Sequence, residues 1–184
     1  MNKNTNDFID ACTDGNLDEA KRLYALGDVD IHAKKNQAFR WACADGHLDV
    51  TKWLYSLGGV DIHAKKDQAF RSACVDGHLE VAKWLYSLGD IDIHVMDDEA
   101  FLWACGGDHL DMAKWLYSLG GVDIHAKNDD LFRLACWGGY LNIAKWLYSL
   151  GGVDISADGA LQMAAENKHI EVVKWLESLD KKGN

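Results

Sequence analysis

Trp53-Leu54-Tyr55-Ser56-Leu57-Gly58-Gly59-Val60-Asp61-Ile62-His63-Ala64-Lys65 is nearly reprinted further along the chain, and its recurrence decides the fold. Trp-Leu-Tyr-Ser-Leu-Gly returns at Trp84, Trp115 and Trp146, each 31 residues after the last. A fixed period of roughly 20 to 50 residues marks repeat architectures, in which each unit buries its apolar face only against its neighbours. The core of such a chain is built serially, so its 184 residues and 48% hydrophobic content do not fix a domain count.

Setting the recurrences in register divides residues 1–184 into a single array of six units: 6–35, 36–66, 67–97, 98–128, 129–158 and 159–180. Each unit carries two helical segments. The first, from Gln37 to about Asp45 in the second unit, places Ala38, Phe39, Ala42 and Cys43 on one face. The second opens with an acid or amide (Asp49, Glu80, Asp111, Asn142, Glu171) that suits the positive end of a helix, followed three residues later by a lysine. Its stripe Val50, Trp53, Leu54, Leu57 has the spacing of a helix packed on one side. Gly58, Gly89, Gly120 and Gly151 end it, as a left-handed C′ residue requires. The Val-Asp-Ile-His-Ala pentad that follows alternates and is expected to be extended. With no proline in the chain, helix starts rest on Asn36, Asp67 and Asp98 as N-caps and on the glycine turns.

The expected structural core is Cys43, Leu54, Cys74, Leu85, Cys105, Leu116, Cys136 and Leu147. The five cysteines recur every 31 residues from Cys12, each after an alanine. Equivalent points on packed helices lie about 8 to 10 Å apart, beyond the roughly 7 Å Cα reach of a disulfide, so the thiols are expected to be reduced. The end units differ from the middle ones. Arg22 stands where Trp53 stands in the second unit, and Glu177 takes a tyrosine position, so the array is expected to be complete with polar outer sides.

At this point the residues resemble the ankyrin repeat family. Asp76-Gly77-His78-Leu79-Glu80-Val81-Ala82-Lys83-Trp84-Leu85 is similar to that family's Gly-His-x-Glu-Val-Val-x-x-Leu-Leu core, and Ala69-Phe70-Arg71-Ser72-Ala73-Cys74 stands in the place of its Thr-Pro-Leu-His-x-Ala-Ala. Leu88-Gly89-Asp90-Ile91-Asp92-Ile93-His94 looks like the Gly-Ala-Asp-x-Asn segment with one residue added. The resemblance implies an all-α solenoid of about six helix-turn-helix repeats. No unit carries Thr-Pro, and Ala64 to Phe70 is short for the family, so the hairpin between repeats is expected to be a shortened loop. The repeat wording is similar to arrays encoded by giant DNA viruses of amoebae, mimivirus-like, which implies a host regulatory protein as partner.

Charge narrows the function. Nineteen basic residues against 29 acidic ones give a net charge of -10, which disfavours nucleic acid and anionic lipid as partners. The first ten residues hold no apolar run, and no segment approaches a membrane span, so an intracellular, cytoplasmic monomer is expected. No phosphate loop, dinucleotide fingerprint or His-Glu-x-x-His is present; no enzyme activity, catalytic residue, metal or cofactor is expected.

Two ladders compete with that reading. Cys43 with His47, and its counterparts Cys74 with His78 and Cys105 with His109, have metal-ligand spacing, although a glycine interrupts each pair and a repeated pair suits packing. His32, His63, His94 and His125, with Ser156 last, are read as bonding the backbone of the connecting loops; a metal-binding or pH-sensing ladder is the alternative. Asp61, Asp92, Asp123 and Asp154 are read as caps of those loops.

Variation between units is confined to the first helix. Arg40, Arg71, Leu102 and Arg133 share one position; Trp41, Ser72, Trp103 and Leu134 a second; Ala44, Val75, Gly106 and Trp137 a third. These positions lie opposite the Ala38 and Ala42 face and are expected on the concave side. The expected partner-binding residues are Arg40, Trp41, Arg71, Val75, Leu102, Trp103, Arg133 and Trp137, with the arginines in a row and Trp103 and Trp137 as anchors. Trp41 and Trp103 as core fillers remain the competing placement. A protein partner of unknown identity bound on the inner helices is the favoured function. A structural spacer without a dedicated partner is the alternative. An acidic decoy for nucleic acid would need carboxylates gathered on one face, and they are spread through every unit.

Overall fold

The computed structural model describes residues 3–153 and 159–180, without the side chains of 126–129 and 180. Among the described residues there are twelve helices and no strand. The chain divides into two compact units, Met1–Ala100 and Phe101–Asn184. The first holds α1 (Lys3–Thr13), α2 (Leu17–Ala25), α3 (Ala33–Ala44), α4 (Leu48–Ser56), α5 (Ala64–Val75) and α6 (Leu79–Ser87). The helix α7 (Val95–Gly106) begins in the first unit and ends in the second, which continues with α8 (Leu110–Ser118), α9 (Ala126–Gly138), α10 (Leu141–Ser149), α11 (Ala160–Glu166) and α12 (Ile170–Asp180).

Within each unit, odd-numbered helices form the inner layer and even-numbered ones the outer layer. In the first unit α1 packs on α3 and α3 on α5; in the second α9 packs on α11. Small residues allow this approach. Ala42, Cys43, Ala73 and Cys74 are wholly buried in the first unit beside Phe39 and Phe70; Cys105, Ala135, Cys136 and Ala164 are buried in the second beside Phe101 and Phe132. Leu54 and Leu85, and separately Leu116 and Leu147, complete the two cores from the outer row. Each such leucine removed from water contributes about 1.5 to 3 kcal/mol.

The repeated tryptophan and tyrosine join one repeat to the next. In the first unit Tyr24 meets Trp53 edge-on at 5.8 Å between centroids, and Tyr55 meets Trp84 at 5.5 Å. In the second, Tyr117 meets Trp146 at 5.7 Å and Tyr148 meets Trp175 at 5.8 Å. Each of these four tryptophans meets the tyrosine of the repeat before. Arg22, at the tryptophan position of the first repeat, instead forms an ion pair with Glu19 at 2.7 Å. That hydrogen-bonded guanidinium lowers the Glu19 carboxyl below its ordinary value. At the tyrosine position of the last repeat, Glu177 offers no ring.

The outer helices end as their glycines predict, with Gly58, Gly89, Gly120 and Gly151 at positive φ. The pentad after them corrects the reading of an extended segment. Asp61 accepts from the His63 backbone N–H at 2.9 Å, and the Ala64 N–H reaches the Asp61 carbonyl at 3.3 Å, folding the chain into a turn. Asp30, Asp92 and Asp123 make the same side-chain bond, so the aspartates do cap these loops; Asp154 and Ser156 lie outside the described residues. Next comes a feature the sequence did not announce. Lys34, Lys35 and Asn36 are all left-handed, with φ of 50°, 60° and 58°, as are Lys65–Asp67 and Met96–Asp98. Three such residues in a row reverse the chain before the right-handed helix begins at Gln37, and this compact turn is the shortened loop.

Candidate functional site

A left-handed conformation costs a residue with a Cβ about 1 to 2 kcal/mol, so these turns need partners. In the turns before Gln37 and Gln68 the arginines of the inner helices supply them. Arg40 donates through Nε to the Lys35 carbonyl at 3.0 Å and through Nη2 to the Lys34 carbonyl at 3.1 Å, while Nη1 reaches Gln68 of the next repeat at 3.1 Å. Arg71 repeats the pattern on the carbonyls of Lys66 at 2.9 Å and Lys65 at 3.4 Å, and forms an ion pair with Glu99. A planar guanidinium can address several acceptors at once, which a lysine ammonium does less well.

The histidines bond the third residue of each turn. His32 Nδ1 lies 2.7 Å from Asn36 Oδ1, His63 Nδ1 2.7 Å from Asp67 Oδ1, and His94 Nδ1 2.5 Å from Asp98 Oδ1. The expected N-cap role of Asn36, Asp67 and Asp98 is thereby corrected: their side chains turn back to imidazole. The expected imidazole-to-backbone bonds are corrected with them. The imidazole of His32 also lies over Gly59, where an added Cβ would come within 2.7 Å of the ring. Among the described residues no three His, Cys, Asp or Glu side chains converge on a common point that could hold a metal.

The other histidine series serves packing. A Cβ at Gly15 would overlap the His47 ring, and one at Gly46 would overlap His78, so each imidazole occupies the space above a glycine one repeat earlier. The neighbouring thiols are far from reactive. Burial raises Cys12, Cys43 and Cys105 to about 12 from an ordinary value of 9.0, and raises Cys74 as well.

The predicted binding residues divide between the two units. In the first, Trp41 is 42% exposed, Val75 is half-buried, and Arg40 and Arg71 are half-buried with their guanidinium groups on the turns. In the second, Trp103 is 54% and Trp137 53% exposed, Leu102 is exposed, and Arg133 is half-buried in an ion pair with Asp130. Trp41 and Trp103 are therefore surface residues and do not fill the core. Leu134 and Gly106, placed on this face by the sequence but not among the expected binding residues, adjoin one another: Leu134 is exposed, and a Cβ added at Gly106 would meet its Cδ2 at 3.6 Å.

Paired inner and outer helices at this period, joined by turns and carrying an exposed variable inner row, define an α-helical repeat protein of the kind that presents side chains to other macromolecules. A profile for ankyrin repeats (three copies) matches residues 8–97, 73–159 and 101–183. The chain belongs to the ankyrin repeat family. Among solved structures it is similar to the crystal structure of the human ASB11 ankyrin repeat domain, with a TM-score of 0.68 and 21% identity over 93% of this chain and 82% of that one. No curated protein matches. Among the described residues no helix is long and apolar enough to cross a membrane.

Proposed function

We propose that the chain is a protein-interaction module that binds a partner protein through inner-helix side chains, Trp41 and its neighbours in the first unit and Trp103, Leu134 and Trp137 in the second. One contrast supports this reading. Outer-row Trp53, Trp84, Trp146 and Trp175 each sit in an aromatic pair with the preceding repeat, whereas Trp103 and Trp137 are more than half exposed. Exposed tryptophans on a rigid support lose little freedom on binding and are frequent anchors of interfaces. Arg40 and Arg71 then act mainly by holding the turns, and Leu102, Val75 and Arg133 shape the surroundings.

The module acts as a cytoplasmic monomer without catalysis, metal or cofactor. The resemblance to viral arrays carries the further expectation of a host regulatory protein as partner. The test is affinity capture with mass spectrometry, comparing the native chain with Trp41→Ala and with the double variant Trp103→Ala, Trp137→Ala. Loss of a specific partner with an unchanged melting curve supports the proposal. Capture of the same proteins by all three chains overturns it and favours the spacer reading.

A further inference from the structure

The turns at the starts of α3 and α5 carry lysine pairs, Lys34 with Lys35 and Lys65 with Lys66, at their first two left-handed positions. All four residues are exposed, and among the described residues none forms an ion pair with a carboxylate. The conformation does not call for lysine, since the fourth repeat puts Met96 and Asp97 at the same positions with φ of 60° and 58°. The turn alone therefore does not account for these residues.

One guanidinium joins the two turns. Arg40 donates to the carbonyls of Lys34 and Lys35 and, through Nη1, to Gln68 Oε1 at 3.1 Å, two residues after Lys66. None of these acceptors is a carboxylate, so the Arg40 charge stays uncompensated, whereas Arg71 pairs with Glu99. The packing of α3 on α5 keeps the turns that open them side by side. The nearby carboxylates are engaged. Asp30 and Asp61 accept the backbone N–H of His32 and of His63, and Asp67 is bonded by the His63 imidazole. In the fourth repeat the exposed Asp97 closes the row. Four ammonium groups and one guanidinium thus form a cationic ridge two repeats long on a chain of net charge -10.

A ridge this short selects its ligand by size as well as by sign. A bilayer or a nucleic acid duplex is broad and would bring its phosphates against the acidic remainder of the chain, 29 acidic residues against 19 basic ones in all. An extended peptide segment covers the two turns and little else, and screening over about 8 Å at physiological ionic strength hides more distant carboxylates from it. We infer that the ridge of Lys34, Lys35, Arg40, Lys65 and Lys66 receives a segment of the partner protein rich in aspartate or glutamate, its carboxylates paired with the ammonium groups. This rests on the protein-interaction reading and adds the chemistry of a partner segment in the first unit.

Fluorescence anisotropy of a labelled oligoglutamate peptide on the full chain tests it. Replacing Lys34, Lys35, Lys65 and Lys66 together with Gln is expected to weaken binding by about tenfold or more, and each pair alone to give an intermediate loss. Arginine at the four positions should retain binding, and rising salt should weaken it. A control chain with Gln at Lys21, Lys52, Lys114 and Lys145 loses the same charge from exposed positions on α2, α4, α8 and α10, and should bind as the native chain does. Melting curves check that every variant folds. No binding of the peptide by the native chain, equal loss in the control chain, or equal or tighter binding of a DNA oligonucleotide or of phosphatidylserine vesicles overturns the inference. Partner capture by Trp41, Trp103 and Trp137 is measured with these lysines in place, so either result can fail without the other.

Discussion

The ring of Tyr55 stands perpendicular to the indole of Trp84 in the following repeat, with centroids 5.5 Å apart and planes at 86°. Edge-to-face pairs contribute about 0.5 to 1.5 kcal/mol beyond the area they bury. A double-mutant cycle of Tyr55→Ala and Trp84→Ala, read by denaturant unfolding, is expected to give a coupling of about 1 kcal/mol. Additive losses would show that the rings are merely adjacent.

Arg71 ties two carbonyls of a left-handed turn and pairs with Glu99. Replacing it with Leu, as Leu102 does naturally at the same position, is expected to lower stability by about 1 to 3 kcal/mol. Arg71→Lys should recover less than half of that loss. Full recovery would mean that charge alone was required.

Lys168 and Asp108 have φ of 63° and 59° at a position where other repeats carry glycine. Lys168→Gly is expected to raise stability by up to about 1 kcal/mol in thermal or denaturant unfolding. Gly139→Ala, in the same register, should be markedly destabilising, since its Cβ would overlap the His169 ring. A stabilised Gly139→Ala would refute the described packing.

Burial holds the thiols neutral. At about pH 8, iodoacetamide should leave Cys43 and Cys105 unmodified in the native chain and label them after unfolding. A thiol raised from 9.0 to about 12 on folding stabilises the fold fully below pH 9.0, and this contribution is lost as pH rises toward 12, because the unfolded chain ionises first. Cys43→Ala should flatten that alkaline loss relative to the native chain.

Helix order, helix ends and core were legible because they follow from spacing. Trp53 and Leu54 lie on a helical stripe, Gly58 ends it, and a cysteine at every thirty-first position can only be a shared packing point. The turns were not legible. Lysine and methionine give no local signal for three consecutive left-handed residues; the histidines bond all three turns, and Arg40 and Arg71 add bonds to two of them. The same blindness affected the candidate site, since an arginine spent on a carbonyl and one aimed at a partner look alike as letters. Exposure of Trp41 and Trp103 likewise depended on how closely the alanine and cysteine faces bring the inner helices together.

The tyrosine-to-tryptophan contact has a direction: a repeat offers its tyrosine forward and meets a tyrosine from behind with its tryptophan. A middle repeat therefore carries both halves of its own junction chemistry, and a duplicated copy would find a matching surface on either side. Gene-level insertion of a second third repeat, residues 67–97, should preserve cooperative folding, whereas inserting it ahead of the first repeat would leave the ring of Tyr86 facing Arg22. Such a chain can change length by whole words, and its inner-face vocabulary can drift while the junctions keep the grammar.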